Sequence, residues 1–158
     1  MDKNKSRAIG IIVVVVILVV LFMLPRFTDG SRKMVTGWND MGVDCLAGHE
    51  NANLHIHPIL KITVNGKSET VPANIGIVRS CMAEVHTHDA SGTIHIESVA
   101  ADKTFTLEQF FGIWGMTLER DGYTVAMIVD GKANTEMGAL LLKDHQEISL
   151  SYTKVSAE

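Results

Sequence analysis

The chain has 158 residues, with 14 Lys and Arg against 18 Asp and Glu and a formal net charge of −4. From Ser31 onward ten basic residues face sixteen acidic ones and no basic stripe occurs, which argues against nucleic acid as a partner. That stretch of about 125 residues suffices for one domain with one core, and no repeat or low-complexity tract divides it.

The first element in chain order is apolar. Ala8 to Leu24 reads AIGIIVVVVILVVLFML, without a charge. As a helix it would span about 25 Å, near the short end of what a bilayer core requires. Pro25, Arg26, Phe27, Thr28 and Asp29 follow, with no small-residue cleavage pattern, so an uncleaved anchor is expected over a signal peptide. Lys3, Lys5 and Arg7 precede the run and Arg26, Arg32 and Lys33 follow it, so the charges give orientation no clear vote. A short leading stub and a long following domain fit a signal-anchor. The expected organisation is a cytoplasmic stub at 1–7, a transmembrane anchor in the lipid bilayer at 8–24, a tether and irregular segment at 25–52, and a soluble extracytoplasmic domain at 53–158.

Residues 25–52 are dominated by turn formers. From Leu54 the pattern alternates: Ile56, Leu60, Ile62 and Val64 are apolar, while His55, His57, Lys61 and Thr63 are polar. This is a half-buried strand, with Pro58 removing one ladder donor near its start. Asn65-Gly66 marks a hairpin, with Lys67 to Val71 as the return strand. Thr93 to Val99 alternates again, with Ile94 and Ile96 opposite His95 and Glu97. Lys103 to Gly115 is expected to be a helix. Thr106 would be its N-cap with Gln109 completing a capping box, Leu107, Phe110, Phe111 and Trp114 one apolar stripe, and Gly115 the stop. Tyr123 to Val129, ending at Asp130-Gly131, and Glu147 to Tyr152 are the last strands.

The order hairpin, inserted strand, helix, two strands, closing with ALLLKDHQEISLSY, resembles the β-grasp (ubiquitin-like) fold over about residues 59–152. The resemblance implies an α+β domain in which one main helix packs across a mixed sheet, here with a His-rich insertion at about 72–104. It implies nothing about activity.

Five of the seven histidines lie between residues 55 and 95, as His55-Ile56-His57, His86-Thr87-His88 and the single His95. On a strand, side chains two apart share a face, so each H-x-H presents two imidazoles together. One such pair on a surface strand is usually only a solvated face. Two pairs plus His95, with the histidines of the two alternating segments opposite aliphatic residues, point to convergent metal ligands. A hydrogen-bonded polar network and a pH-responsive surface are the competing readings. Asp89 could accept the second N–H of His88 and fix its tautomer, or could simply serve a turn. Glu97, on the face of His95, could ligate or could accept from a ligand. His145 reads as solvent-exposed, and His49 as at most a peripheral ligand.

Known metal motifs fit incompletely. Metallo-β-lactamase-like hydrolases need a later Asp and a further His after H-x-H. Cupins need Glu closer than Glu97 lies to His88. Amidohydrolases need a larger barrel, and blue-copper sites need a Met after Cys81 and His86. HxHP together with HTHDxSGxIHIES resembles uncharacterised membrane-anchored prokaryotic proteins, a likeness that implies no activity.

Cys45 and Cys81 are the only cysteines. In an exported domain a disulfide is the first expectation, closing a loop of about 37 residues. Thiolate ligation of Cu(I), with Met41 and Met82 nearby, is the alternative. No C-x-x-C is present, which argues against thiol–disulfide exchange.

The leading expectation is therefore an exported metal-binding domain using His55, His57, His86, His88 and His95. Asp89 and Glu97 would support the ligands, and Cys45 and Cys81 would be bridged. Imidazole-rich ligation selects copper or zinc, then iron, over calcium and magnesium. The role would be to hold, deliver or sense metal, with a metal-accepting protein or a membrane complex as partner. The alternatives are a small His-ligated oxidoreductase or hydrolase, with Glu97, Asp89 or Glu84 as base, and a non-catalytic interaction module of a membrane complex.

Overall fold

The computed structural model describes residues 3–46, 52–79 and 81–155; within the first helix, side chains are described at 12–19 and from Gly30 onward. His49 lies outside the described residues. The chain divides into two units, 1–36 and 37–158.

The first unit is helical. Helix α1, Lys3–Asp40, begins in it and continues past Pro25. The transmembrane helix expected at 8–24 is corrected here: among the described residues no helix is long and apolar enough to cross a membrane. The uncharged run Ala8–Leu24 amounts to about 25 Å of helix, short of a hydrocarbon core of about 30 Å. The helix then runs on into a stretch carrying Arg32, Lys33 and Asp40. The segment expected to be irregular from residue 25 is accordingly helical as far as Asp40.

In the second unit Trp38 and Val43 are buried, and the Val43 amide donates to the Trp38 carbonyl at 3.0 Å. The strands are β1 (Cys45–Leu46), β2 (Leu54–Ile56), β3 (Ile59–Val64), β4 (Lys67–Glu69), β5 (Ile77–Val78), β6 (Cys81–Ala83), β7 (Val85–His86) and β8 (His95–Ser98). After α2 (Leu107–Trp114) come β9 (Tyr123–Val129), β10 (Lys132–Asn134), a 3-10 turn at Met137–Ala139, and β11 (Glu147–Lys154).

The largest sheet has the order β10-β9-β11-β3-β4. Its centre is a parallel pair, with Ile148 opposite Leu60 and Leu150 opposite Ile62, all four buried. Both edges are hairpins. Asn65-Gly66 has φ of 51° and 77°, and Asp130-Gly131 has φ of 50° and 77°, the double positive φ of a type I′ turn. Helix α2 carries the anticipated capping box, Thr106 with Gln109, and ends on Gly115 in the left-handed region. Its buried face is Leu107, Phe110, Phe111 and Ile113. Trp114 is half-buried and lies against both phenylalanines, with ring centroids 6.0 and 5.7 Å away. Arg120 makes a two-pronged ion pair with Glu69 of the edge strand β4 and lies over the Tyr152 ring at 4.1 Å.

Two smaller sheets, β2-β8-β7 and β1-β6-β5, accompany it. The expected architecture of one transmembrane helix plus a β-grasp-like domain with one mixed sheet and one main helix is thus revised. The described residues form a mixed α+β protein with three helices and three sheets. Pro58 supplies the physical reason for the extra sheet. The alternation from Leu54 reads as one strand, but Pro58 offers no amide donor, and the chain changes sheets there. Before it, β2 pairs with β8; after it, β3 pairs with β11. The Pro58 carbonyl still accepts the Ile94 amide at 2.9 Å, which ties the two sheets together.

Candidate metal site

The site is built on β2-β8-β7. Strand β8 lies in the middle, antiparallel to both neighbours. The register sets His86 directly opposite His95 and His55 directly opposite Glu97, whereas Val85, Ile96 and Ile56 form the intervening row. Because side chains alternate across a strand, His86, His95, Glu97 and His55 share one face and the aliphatic row takes the other. Val85 and Ile96 are fully buried, and their burial fixes which face the histidines occupy.

All five histidines singled out in the sequence are brought together. Ring centroids lie 4.6 Å apart for His55 and His57, 4.8 Å for His57 and His95, 4.5 Å for His88 and His95, and 4.7 Å for His86 and His88. The ligand atoms fall into two groups, His86, His88, His95 and Glu97, and His55, His57 and His95. Within each group they lie within 4.8 Å of one another. Tetrahedral ligands about 2.1 Å from an ion sit about 3.4 Å apart, so small side-chain rotations close either group onto a metal. These clusters could hold a metal ion.

The inner group is anchored best. His86 is wholly buried, with Nδ1 2.9 Å from the Ala83 carbonyl and Nε2 3.1 Å from Nε2 of His88. A carbonyl can only accept, so Nδ1 carries the hydrogen and the Nε2 lone pair faces the cluster, the usual way of orienting a ligating imidazole. Burial, with His88 and His95 nearby, lowers the His86 pKa to about 4 against the pull of the Ala83 carbonyl and Glu97. Burial also lowers that of His95, reinforced by His88 and His57. Both imidazoles are therefore neutral at pH 7, as metal ligation requires.

The segment between the pairs is held by Thr87. It is buried, its hydroxyl donates to the Pro72 carbonyl at 2.8 Å and accepts the Ile75 amide at 3.0 Å, and its amide donates to the Ile75 carbonyl. Gly76 passes so close behind that an added Cβ would lie 2.6 Å from the Val85 carbonyl oxygen. At the other end of the insertion Gly92 has φ of 87°, and its carbonyl accepts the Leu60 amide at 2.8 Å.

The carboxylates divide. Glu97 is buried, with Oε1 3.3 Å from Nε2 of His55. Asp89 is exposed and accepts the Ser91 amide at 2.9 Å, a turn contact; hydrogen bonding from the Ser91 side chain and then its amide lowers the Asp89 pKa, and the carbonyl that orients His86 belongs to Ala83. Glu84, considered above as a base, is buried elsewhere. It accepts from Lys103 at 2.5 Å, Ser98 at 2.7 Å and the Asp44 amide at 2.9 Å. Sequence reasoning missed Asp144. It accepts the His57 amide at 2.9 Å and lies 3.3 Å from Nε2 of the exposed His145. No local pattern signals that pairing, because 87 residues separate the partners.

Cys45 and Cys81 form a disulfide joining β1 to β6, which removes both thiolates from the candidate ligands. A cleft of about 360 Å³, lined by Met41, Glu108, Phe111, Met116 and Leu118 among others, includes none of the histidines in its walls. Comparison with known protein families, with curated proteins and with solved structures finds no match for this chain.

Proposed function

We propose that this chain is an extracytoplasmic metal-binding domain that holds a transition-metal ion, copper or zinc first and iron next, for delivery to or sensing on behalf of a partner. The observation that carries the reading is the convergence of five imidazoles from β2, β7–β8 and the turn between them, with Nε2 of His86 turned inward by the Ala83 carbonyl. A set rich in imidazole and poor in carboxylate suits these metals over calcium or magnesium. The Cys45–Cys81 disulfide supports an oxidising compartment. An enzymatic reading with Glu84 or Asp89 as base draws no comparable support, because both are engaged in structural bonds.

Elemental analysis of the purified chain, before and after loading with Zn²⁺ or Cu⁺, tests the reading. One stoichiometric ion is expected. It should be lost in the double variant His86→Ala/His88→Ala and kept in His145→Ala. A wild-type chain that retains neither metal after gel filtration would overturn the proposal.

A further inference from the structure

The two groups offer seven candidate ligand places but only six residues fill them, because His95 belongs to both. Resting on the metal-binding reading above, we propose that the cluster is a two-position relay for a single ion. The inner holding position is His86, His88, His95 and Glu97; the outer exchange position is His55, His57 and His95.

The two positions differ in ways that assign their roles. The inner one has four ligands, enough to close a tetrahedron, and two of them are almost wholly buried, His86 at 0% and Glu97 at 1% exposure. The outer one has three imidazoles, which leaves the fourth tetrahedral position open to an incoming donor. It also faces solvent, with the His55 side chain 53% and the His57 side chain 34% exposed. A partner or chelator can therefore supply a ligand at the open place of the outer position, whereas the inner one, although His88 is exposed, already has its four ligands.

His95 makes the positions alternatives. A neutral imidazole has one lone pair and so binds one ion at a time. Its ring lies 4.8 Å from that of His57 on one side and 4.5 Å from that of His88 on the other. Glu97 gives a second link, since it belongs to the inner group and lies 3.3 Å from Nε2 of His55. An ion can thus pass outward while remaining bound to His95, exchanging His86, His88 and Glu97 for His55 and His57 one at a time. Direct departure from the inner position would need several metal bonds to break with nothing replacing them. No proton or electron balance is disturbed, because all five imidazoles bind in the neutral form.

The test uses Zn²⁺ as the probe on the full chain, reading stoichiometry, equilibrium affinity and the rate of transfer to a fluorescent chelator. The wild type should bind one equivalent and give it up readily. The variant His55→Ala/His57→Ala changes exposed or half-buried side chains. It should still bind one equivalent with affinity within about threefold, yet transfer it about tenfold more slowly or worse. His88→Ala, also at an exposed position, should lose about 10–100-fold in affinity and release zinc faster. Loss of the stoichiometric ion from His55→Ala/His57→Ala would show one undivided site and overturn the relay while leaving the metal-binding reading intact. Unchanged transfer rates in that variant, or two equivalents held together by the wild type, would also overturn the relay. Uptake of no Zn²⁺ by the wild type would overturn both readings.

Discussion

Replacing Gly92 by alanine probes how the fold holds His95, the residue common to both ligand groups. Gly92 lies at φ of 87°, where an L side chain costs about 1–2 kcal/mol. A Cβ there would also meet the backbone oxygen of Leu60 at 2.3 Å, far inside contact distance. Relieving that overlap means moving β3 away from the segment entering β8, which breaks the bond from the Leu60 amide to the Gly92 carbonyl. A buried amide left without its partner costs about a further 1–3 kcal/mol. The total, about 2–5 kcal/mol, is a large share of the stability of a domain this size. Gly131→Ala is the matched control. Its φ is 77°, but nothing lies within 4 Å of an added Cβ, so it should lose only about 1–2 kcal/mol. Urea unfolding followed by circular dichroism should therefore show a midpoint about 1 M or more lower for Gly92→Ala, with a smaller shift for Gly131→Ala. Because His95 follows three residues after Gly92, zinc affinity should also fall about tenfold in the first variant and stay constant in the second. Equal stability losses in the two variants would refute the argument that close approach to Leu60, rather than backbone φ alone, fixes this segment.

Three further outcomes follow from separate features. Reduction of the Cys45–Cys81 disulfide, or the paired change Cys45→Ser/Cys81→Ser, should cost about 4 kcal/mol for a loop of this length; unreduced folded protein that takes up alkylating agent would contradict the bridge. His86 is buried and neutral, with its pKa lowered to about 4, whereas an unfolded His titrates near 6.5. The unfolded chain therefore binds the proton first. This contribution to stability is present above pH 6.5 and is lost as pH falls toward 4, amounting to about 2 kcal/mol by pH 5. Metal-free chain melted in urea at pH 7 and pH 5 should show the loss, His86→Gln should largely remove it, and equal slopes in the two would refute the assignment. Lys103→Met leaves the buried Glu84 carboxylate without its cation and should cost about 2–4 kcal/mol while leaving zinc stoichiometry at one; a change in stoichiometry would place Glu84 within the metal site.

Local chemistry was readable where it acts within a few residues. Asn65-Gly66 and Asp130-Gly131 announce their hairpins because only such pairs accept two successive positive φ values without strain. Thr106 and Gln109 announce the start of α2 because their bonds span three residues. The common face of His95 and Glu97 followed from a period of two, which holds whatever the strand pairs with.

What the sequence left hidden depends on partners far along the chain. Trp114 was expected in the apolar stripe at the place Ile113 takes, since which part of a short helix is buried depends on what packs against it. The strand read through Pro58 splits because tertiary pairing assigns its halves to different sheets. The division of the histidines into two groups has the same origin. Spacing alone makes His55-x-His57 and His86-x-His88 equivalent. Burial makes them unlike: β7 and β2 both flank β8, but on β7 His86 is enclosed and its Nδ1 meets Ala83, while on β2 His55 meets solvent and Glu97. The same H-x-H pattern therefore yields one pair with a buried, oriented member, His86, and one pair with none, and β8 between them brings His95 within reach of both.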